Sequence, residues 1–164
     1  MHTQLHTTNL TWRTATKTKP LRAKPLISLI VERKLLNKFL VDTIEGKEPL
    51  RDGVVICLGI NNDAWQQMPK KLLGKYDVTG IDDDGWMICE PKPDNAVDCH
   101  EILASELGAG KNFIIGHYGE TLDDGTQNTQ ACEAGDYICR DRQNPTDQWI
   151  VKRKIFENTY SIKD

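Results

Sequence analysis

The apolar positions of this chain fall in short runs separated by glycine, asparagine, aspartate and proline, the pattern of a strand-rich protein. Val54–Leu58 and Tyr137–Cys139 are β-branched or aromatic and each follows a glycine, so each is predicted as a strand leaving a turn. Asn61-Asn62-Asp63 and Asn144-Pro145-Thr146-Asp147 are turn sequences. Trp65–Gln67 and Trp149–Lys152 then return as the second strands of two hairpins. Pro69 stands where a helix begins, and Leu72, Leu73 and Tyr76 have helical spacing within Lys70–Tyr76. Ile155, Phe156 and Tyr160 repeat that spacing within Lys154–Tyr160. Between these blocks, Asp77–Ile81 and Trp86–Cys89 flank Asp82-Asp83-Asp84-Gly85, a further hairpin signal ended by Pro91-Lys92-Pro93. Leu26–Leu36 and Val97–Leu107 fit a strand or a helix equally well.

The order of these signals repeats. Gly53, Ile56 and Cys57 recur 82 residues later as Gly135, Ile138 and Cys139. Asp63, Trp65, Lys70 and Tyr76 recur 84 residues later as Asp147, Trp149, Lys154 and Tyr160. The two-residue difference falls in the polar stretch before the tryptophan, where a loop absorbs it. Upstream, Lys38-Phe39-Leu40-Val41 pairs with Asn112-Phe113-Ile114-Ile115 at a different offset. The expected fold is therefore α+β: two related β-hairpin-plus-short-helix modules, an internal duplication, joined by a central hairpin. The expected division is a basic, partly disordered segment over 1–30, a first module over 31–80, a central hairpin and connector over 81–110, and a second module over 111–164, all within one compact domain.

Composition narrows the class. A chain of 164 residues, 38% hydrophobic and 27% charged, suits a soluble domain with its own core. The early apolar run over 26–31 is broken by Ser28 and falls far short of the ~20 residues of a membrane span. It is also shorter than a signal-peptide core, so neither a membrane partner nor secretion is expected. Five cysteines, an odd count, argue against a disulfide framework and for reduced thiols in the cytoplasm. The net charge of −3 is unevenly spread: residues 1–31 carry five bases (Arg13, Lys17, Lys19, Arg22, Lys24) and no acid. A basic arm on an acidic body could touch nucleic acid or an acidic protein, but a solvated leader weighs more heavily.

No motif for catalysis or for a cofactor stands out, and none is expected to bind. Cys57 and Cys139 hold equivalent strand positions, which favours packing over nucleophilic chemistry. Cys89, Cys99, His100, His117 and Cys132 lack the paired spacing of a zinc site, so no metal is expected. Asp82, Asp83 and Asp84 lack the alternation of a calcium loop and are an acidic turn, as is Asp123-Asp124-Gly125. His117, beside Tyr118 and Glu120, and Cys132 are the least implausible members of an unrecognised active site. Lys70, Lys71 and Lys75, with Lys152, Arg153 and Lys154, form a repeated basic edge near Trp65 and Trp149. Such an edge could follow a phosphate backbone, with a solvated helix face as the weightier reading. The Asp82–Asp84 turn is the matching acidic candidate for contact with a partner.

One stretch resembles a known group. Ala134-Gly135-Asp136-Tyr137-Ile138, then Trp149-Ile150-Val151, then Phe156-Glu157-Asn158-Thr159-Tyr160 resembles the C-terminal signature of many small phage and prophage proteins. The resemblance covers about residues 111–162. It implies a compact α+β module and no particular reaction. This chain departs from the signature in its longer turn over Arg140–Gln148, which contains Pro145, and the first copy keeps only Tyr76 of the ending. The expected function is a non-enzymatic protein-binding accessory factor, such as a phage-type inhibitor or modulator of a host protein. A nucleic-acid-binding module and a small enzyme are the alternatives.

Overall fold

The computed structural model describes residues 1–32, 40–43, 46–115 and 129–163. It is an α+β structure dominated by strands, and the chain divides into two compact units. One is continuous, Thr18–Asn95; the other is split, Met1–Lys17 with Ala96–Asp164.

The continuous unit contains β3 (Leu21–Pro25), α1 (Leu26–Val31), β4 (Leu40–Thr43), β5 (Gly46–Pro49), β6 (Val55–Leu58), β7 (Ala64–Gln67), α2 (Pro69–Lys75), β8 (Tyr76–Ile81) and β9 (Met87–Pro91). Its five-stranded sheet runs β7-β6-β3-β9-β8, every neighbouring pair antiparallel, and β4 and β5 pair with each other. The split unit contains β1 (His2–Gln4), β2 (Arg13–Lys17), β10 (Ala96–Glu101), a 3-10 turn over Ala104–Glu106, β11 (Lys111–Ile115), β12 (Thr129–Cys132), β13 (Tyr137–Arg140), β14 (Gln148–Val151), α3 (Arg153–Thr159) and β15 (Tyr160–Lys163). Its five-stranded sheet runs β14-β13-β10-β2-β15, again antiparallel throughout. A second sheet, β1-β11-β12, adds β1 parallel to β11.

The two five-stranded sheets have one spatial order: a hairpin, the strand that leads into it, a further strand, then the strand that follows the helix; the further strand is β9, the last of the continuous unit, and in the split unit it is β2, which precedes β10 in the chain. Their registers coincide as well. Cys57 faces Trp65 across one hairpin and Ala23 on the other side; Cys139 faces Trp149 and Cys99. The loops of the two hairpins span 59–63 and 141–147, so the longer one carries its two extra residues just before the tryptophan strand. Each loop is closed at its base by one backbone bond, Gly59 N–H to the Asp63 carbonyl at 2.8 Å and Asp141 N–H to the Asp147 carbonyl at 2.9 Å. Gly53 and Gly135 both sit at positive φ (76° and 91°), which glycine adopts without a Cβ clash, immediately before these hairpins. The helices α2 and α3 are each about two turns long and lay Leu72 or Phe156 onto their sheets.

The cores match position by position. Leu21, Ala23, Val55, Cys57, Leu72, Tyr76 and Cys89 pack together in the continuous unit, with Trp65 partly buried against them. Val97, Cys99, Tyr137, Cys139, Phe156 and Ala15 pack together in the split unit, with Trp149 and Tyr160 against them; Val151 joins them as the exception, since its counterpart is Gln67. The small residues at the strand crossings are wholly buried: Ala15, Ala23, Cys57, Cys89 and Cys139 all have 0% exposure, so the helix approaches the sheet closely there.

Two expectations about organisation meet a different structure. The hairpin over 77–89 does not connect two modules; β8 and β9 are two of the five strands of the continuous unit. Residues 1–30 are not a solvated arm; they supply β1, β2 and β3. The physical reason is that β2 and β3 each bury one small residue, Ala15 and Ala23, between polar neighbours, and their pairing partners lie far along the chain. Leu26–Val31 is helical, whereas Ala96–Glu101 is a strand followed by the 3-10 turn.

Candidate functional site

Position-by-position equivalence of the two units exposes one large difference. In the split unit, Glu101 of β10 lies directly across from Tyr137 of β13. The Tyr137 ring stacks on Phe156 at 3.7 Å and 6°, and Phe156 stacks in turn on Tyr160 at 4.7 Å and 8°. Burial raises the pKa of the Tyr137 hydroxyl; Glu101, Cys99 and Glu157 raise it further and Arg153 opposes them. The ring is thus a plug with a polar tip among charged groups. Arg153 donates through Nε to Glu157 at 2.9 Å, and its side chain lies over Gly135.

In the continuous unit the same positions are apolar and shorter. Pro25 lies across from Val55, α2 begins with Pro69 in place of Arg153, and Leu72 and Leu73 stand for Phe156 and Glu157. Met87, across from Ala23, stands where Arg13 faces Cys99. Without the aromatic plug, a groove of about 330 Å³ opens there. Its floor and walls are made chiefly by Pro25, Val55, Pro69, Leu72, Leu73 and Met87, with Asp52 as the lining residue that carries charge. Ile27 (66% exposed), Ile30, Leu73 and Met68 extend the apolar surface at its margins, and Val31 (73% exposed) follows in the same helix. The sequence carried this signal where the two stretches are aligned, since Val55, Pro69 and Leu73 stand opposite Tyr137, Arg153 and Glu157.

The residues singled out by sequence occupy other places. The two basic edges are not equivalent: Lys70 matches Lys154, but Lys71 matches the half-buried Ile155, Lys75 matches Thr159, and Lys152 and Arg153 match Met68 and Pro69. Lys152 donates to Asp136 at 2.9 Å, and Arg153 is paired with Glu157, so both charges are matched within their own unit. Lys70 and Lys154 are exposed. Trp65 and Trp149 pack against the two cores, which leaves them poor platforms for stacking bases.

The Asp82–Asp84 turn is built for its own closure. Asp82 Oδ1 accepts the N–H groups of Asp84 and Trp86, each at 2.9 Å, and Arg22 lies 3.4 Å from Oδ2. The bond from Trp86 is the largest of the effects that hold the Asp82 carboxyl below its ordinary pKa. The carbonyl of Asp84 accepts a bond from Lys24 Nζ at 2.8 Å, while the Asp83 side chain is exposed. Lys24, although a lysine, is 3% exposed; it also meets Glu32 at 2.7 Å and lies over the Trp86 ring. The split unit has His100 at that position. It bonds the Thr11 carbonyl through Nδ1 at 2.8 Å and Glu106 through Nε2 at 2.9 Å, edge-on to Trp12.

All five thiols are free and buried. Burial is the main cause that pushes Cys99 and Cys132 up to about 11, far from the thiolate a nucleophile needs. Among the described residues no three His, Cys, Asp or Glu side chains gather as a metal set, and no helix is long and apolar enough to cross a membrane. His117, Tyr118, Glu120, Asp123, Asp124 and Gly125 lie outside the described residues, as do Lys38 and Phe39.

No family model, no curated protein and no solved structure matches this chain.

Proposed function

We propose that this protein acts by binding a protein partner and that the apolar groove of the continuous unit is the contact face. The observation that carries the proposal is the contrast between two otherwise matching units, one with its face filled by Tyr137 and Arg153, the other open and apolar. Contiguous apolar surface left in water has a free-energy cost, and on soluble proteins it marks sites of association. On this reading the two units are copies of one module. The split copy keeps a closed face, and the continuous copy has traded its plug for a site. The resemblance of residues 111–162 to small phage proteins points to an accessory factor whose partner is a host protein that it inhibits or modulates.

Leu73→Glu tests this directly. Leu73 is 52% exposed and its counterpart is Glu157, so the fold accommodates the change while the groove gains a charge. Tagged wild-type and Leu73→Glu proteins are incubated with a bacterial lysate at equal concentration. A protein recovered by the wild type and depleted about tenfold or more with the variant, equivalent to about 1.4 kcal/mol, is the expected outcome. Identical recovery by both overturns the assignment of the contact face.

A further inference from the structure

Resting on that reading of the groove, we propose that it takes one phenylalanine side chain of a partner polypeptide, with a lysine or arginine next to it that pairs with Asp52.

The chain carries its own example of what fits. In the split unit the corresponding space holds an aromatic ring, Tyr137, lying flat on the α3 residue Phe156, with the Arg153 side chain over Gly135. In the continuous unit the ring and the guanidinium are both missing from those positions. Val55 stands for Tyr137, Pro69 for Arg153, and the nearest atom that a Cβ on Gly53 would meet is the Met68 methyl at 4.0 Å. The vacancy is therefore shaped for an aromatic ring accompanied by a cation. Its size agrees. A cavity of roughly 150 Å³ is enough for benzene in a protein interior, and about 330 Å³ admits the ring with part of its flanking chain.

The chemistry of the walls selects among aromatics. The Tyr137 hydroxyl has Glu101, Arg153 and Glu157 around it. The counterparts of those three in the groove are Pro25, Pro69 and Leu73, which offer no side-chain donor or acceptor. A tyrosine hydroxyl would be buried there without a partner, which is unfavourable, whereas phenylalanine loses nothing. Charge complementarity sets the neighbour. Asp52 is exposed at the groove, its counterpart Ala134 is neutral, and among the described residues no basic side chain lines the site. An adjacent cation on the partner is attracted, and an anion is repelled.

The test uses the full chain labelled with ¹⁵N and four blocked peptides, acetyl-Gly-Phe-Lys-Gly-amide and its analogues with Tyr or Ser for Phe or Glu for Lys. The amide signals of Gly53, Val54, Leu72 and Leu73 are followed by two-dimensional NMR. The Phe-Lys peptide is expected to shift them saturably. The Tyr peptide binds at least about fivefold more weakly, the Glu peptide about threefold more weakly, and the Ser peptide leaves them unmoved. Val55→Tyr, which rebuilds the plug of the other unit, abolishes the shifts. Should that variant not fold, Leu73→Glu weakens the Phe-Lys peptide and Asp52→Asn removes the Lys-over-Glu preference. Equal responses to the Phe and Ser peptides, or shifts confined to other parts of the chain, overturn the proposal. If the peptides fail while Leu73→Glu still loses its lysate partner, the anchor chemistry falls and the contact face stands. If lysate recovery is also unchanged, both fall.

Discussion

The continuous and split units share strand order, register and hydrogen-bonded corners, yet one face of each has taken a different course. Leu26 N–H to the Val54 carbonyl at 3.0 Å is matched by Ile102 N–H to the Asp136 carbonyl at 2.9 Å. Leu72 N–H to the Met68 carbonyl is matched by Phe156 N–H to the Lys152 carbonyl. What the sheets hold fixed are the small buried residues where strands cross and the aromatic residues that cap them, Cys57 with Trp65 and Cys139 with Trp149. What varies is the layer outside, where helix meets hairpin: a stacked aromatic column in one unit, and Val55, Leu72 and Tyr76 in the other. The lesson is that the strand framework does not depend on that outer layer being filled, so one unit can leave it open.

The contrast gives its largest effect through the helix residue at the centre of each layer. Phe156→Ala removes a wholly buried ring stacked on both sides, and a loss of about 3–5 kcal/mol is expected. Leu72→Ala removes a smaller, equally buried side chain beneath the groove, so its loss is expected to be smaller, about 2–3 kcal/mol. Urea unfolding gives the totals, and amide hydrogen exchange assigns each loss to its unit. Equal losses would mean that the groove is closed in solution and that the two layers are packed alike.

A smaller effect concerns the polar pins at the opposite corner. Lys24 and His100 occupy one position and do one job by different chemistry: each ties a strand-leading carbonyl, Asp84 or Thr11, to a glutamate, Glu32 or Glu106, beside a tryptophan. Lys24→Met leaves the Asp84 carbonyl and Glu32 without their charged donor and is expected to cost about 1–3 kcal/mol. His100→Leu, at a similarly covered site, is expected to cost about 1–1.5 kcal/mol. The order of the two is checked by denaturation of single variants; the reverse order would show that the split unit depends more on its pin.

How much of this was legible follows from range. The hairpins 55–67 and 137–151 and their helices are local, each announced by a glycine, a turn sequence and a tryptophan within about twenty residues, and the period of Ile155, Phe156 and Tyr160 placed α3 within a residue. The strands β8 and β9 were legible in the same way, from the Asp-Gly turn between them, but the strands of residues 1–25 were not. β2 is Arg-Thr-Ala-Thr-Lys, and its only core residue is Ala15; such a segment looks like a basic leader until its partners β10 and β15 are known. Trp12 and Trp86 are counterparts in register, but no other residue nearby is shared, so the likeness of the two sheets was invisible there. The basic edges misled because helix residues alternate faces: Lys71 and Ile155 hold the same position with opposite character. The groove was hidden for a different reason, since it is defined by what Val55 and Pro69 lack and becomes visible only beside Tyr137 and Arg153.

The finest separation of the two units comes from acid. Burial alone would raise Glu106, but the Leu103 N–H bond at 2.8 Å and the His100 contacts outweigh it, so its carboxyl is held below the ordinary value. A carboxyl held low in the folded state stabilises that state fully above its unfolded pKa of about 4.3, and loses the contribution as pH falls through the folded value. Because the side chain is partly exposed, the contribution is about 0.3–1 kcal/mol. Glu106→Gln keeps the shape and removes the titration. At pH 7 the variant is expected to be less stable by that amount, and the difference to shrink toward zero below about pH 4. Acid also protonates Asp82 in the continuous unit, whose carboxyl is held low chiefly by the Trp86 N–H, so the wild type weakens in both units together. Glu106→Gln relieves only the split unit of its share. Urea titrations between pH 3 and 7, read by hydrogen exchange in each unit, separate the two. A difference between wild type and variant that stays constant with pH would show that Glu106 acts through its shape and not its charge, and the likeness drawn between the two pins would then rest on packing alone.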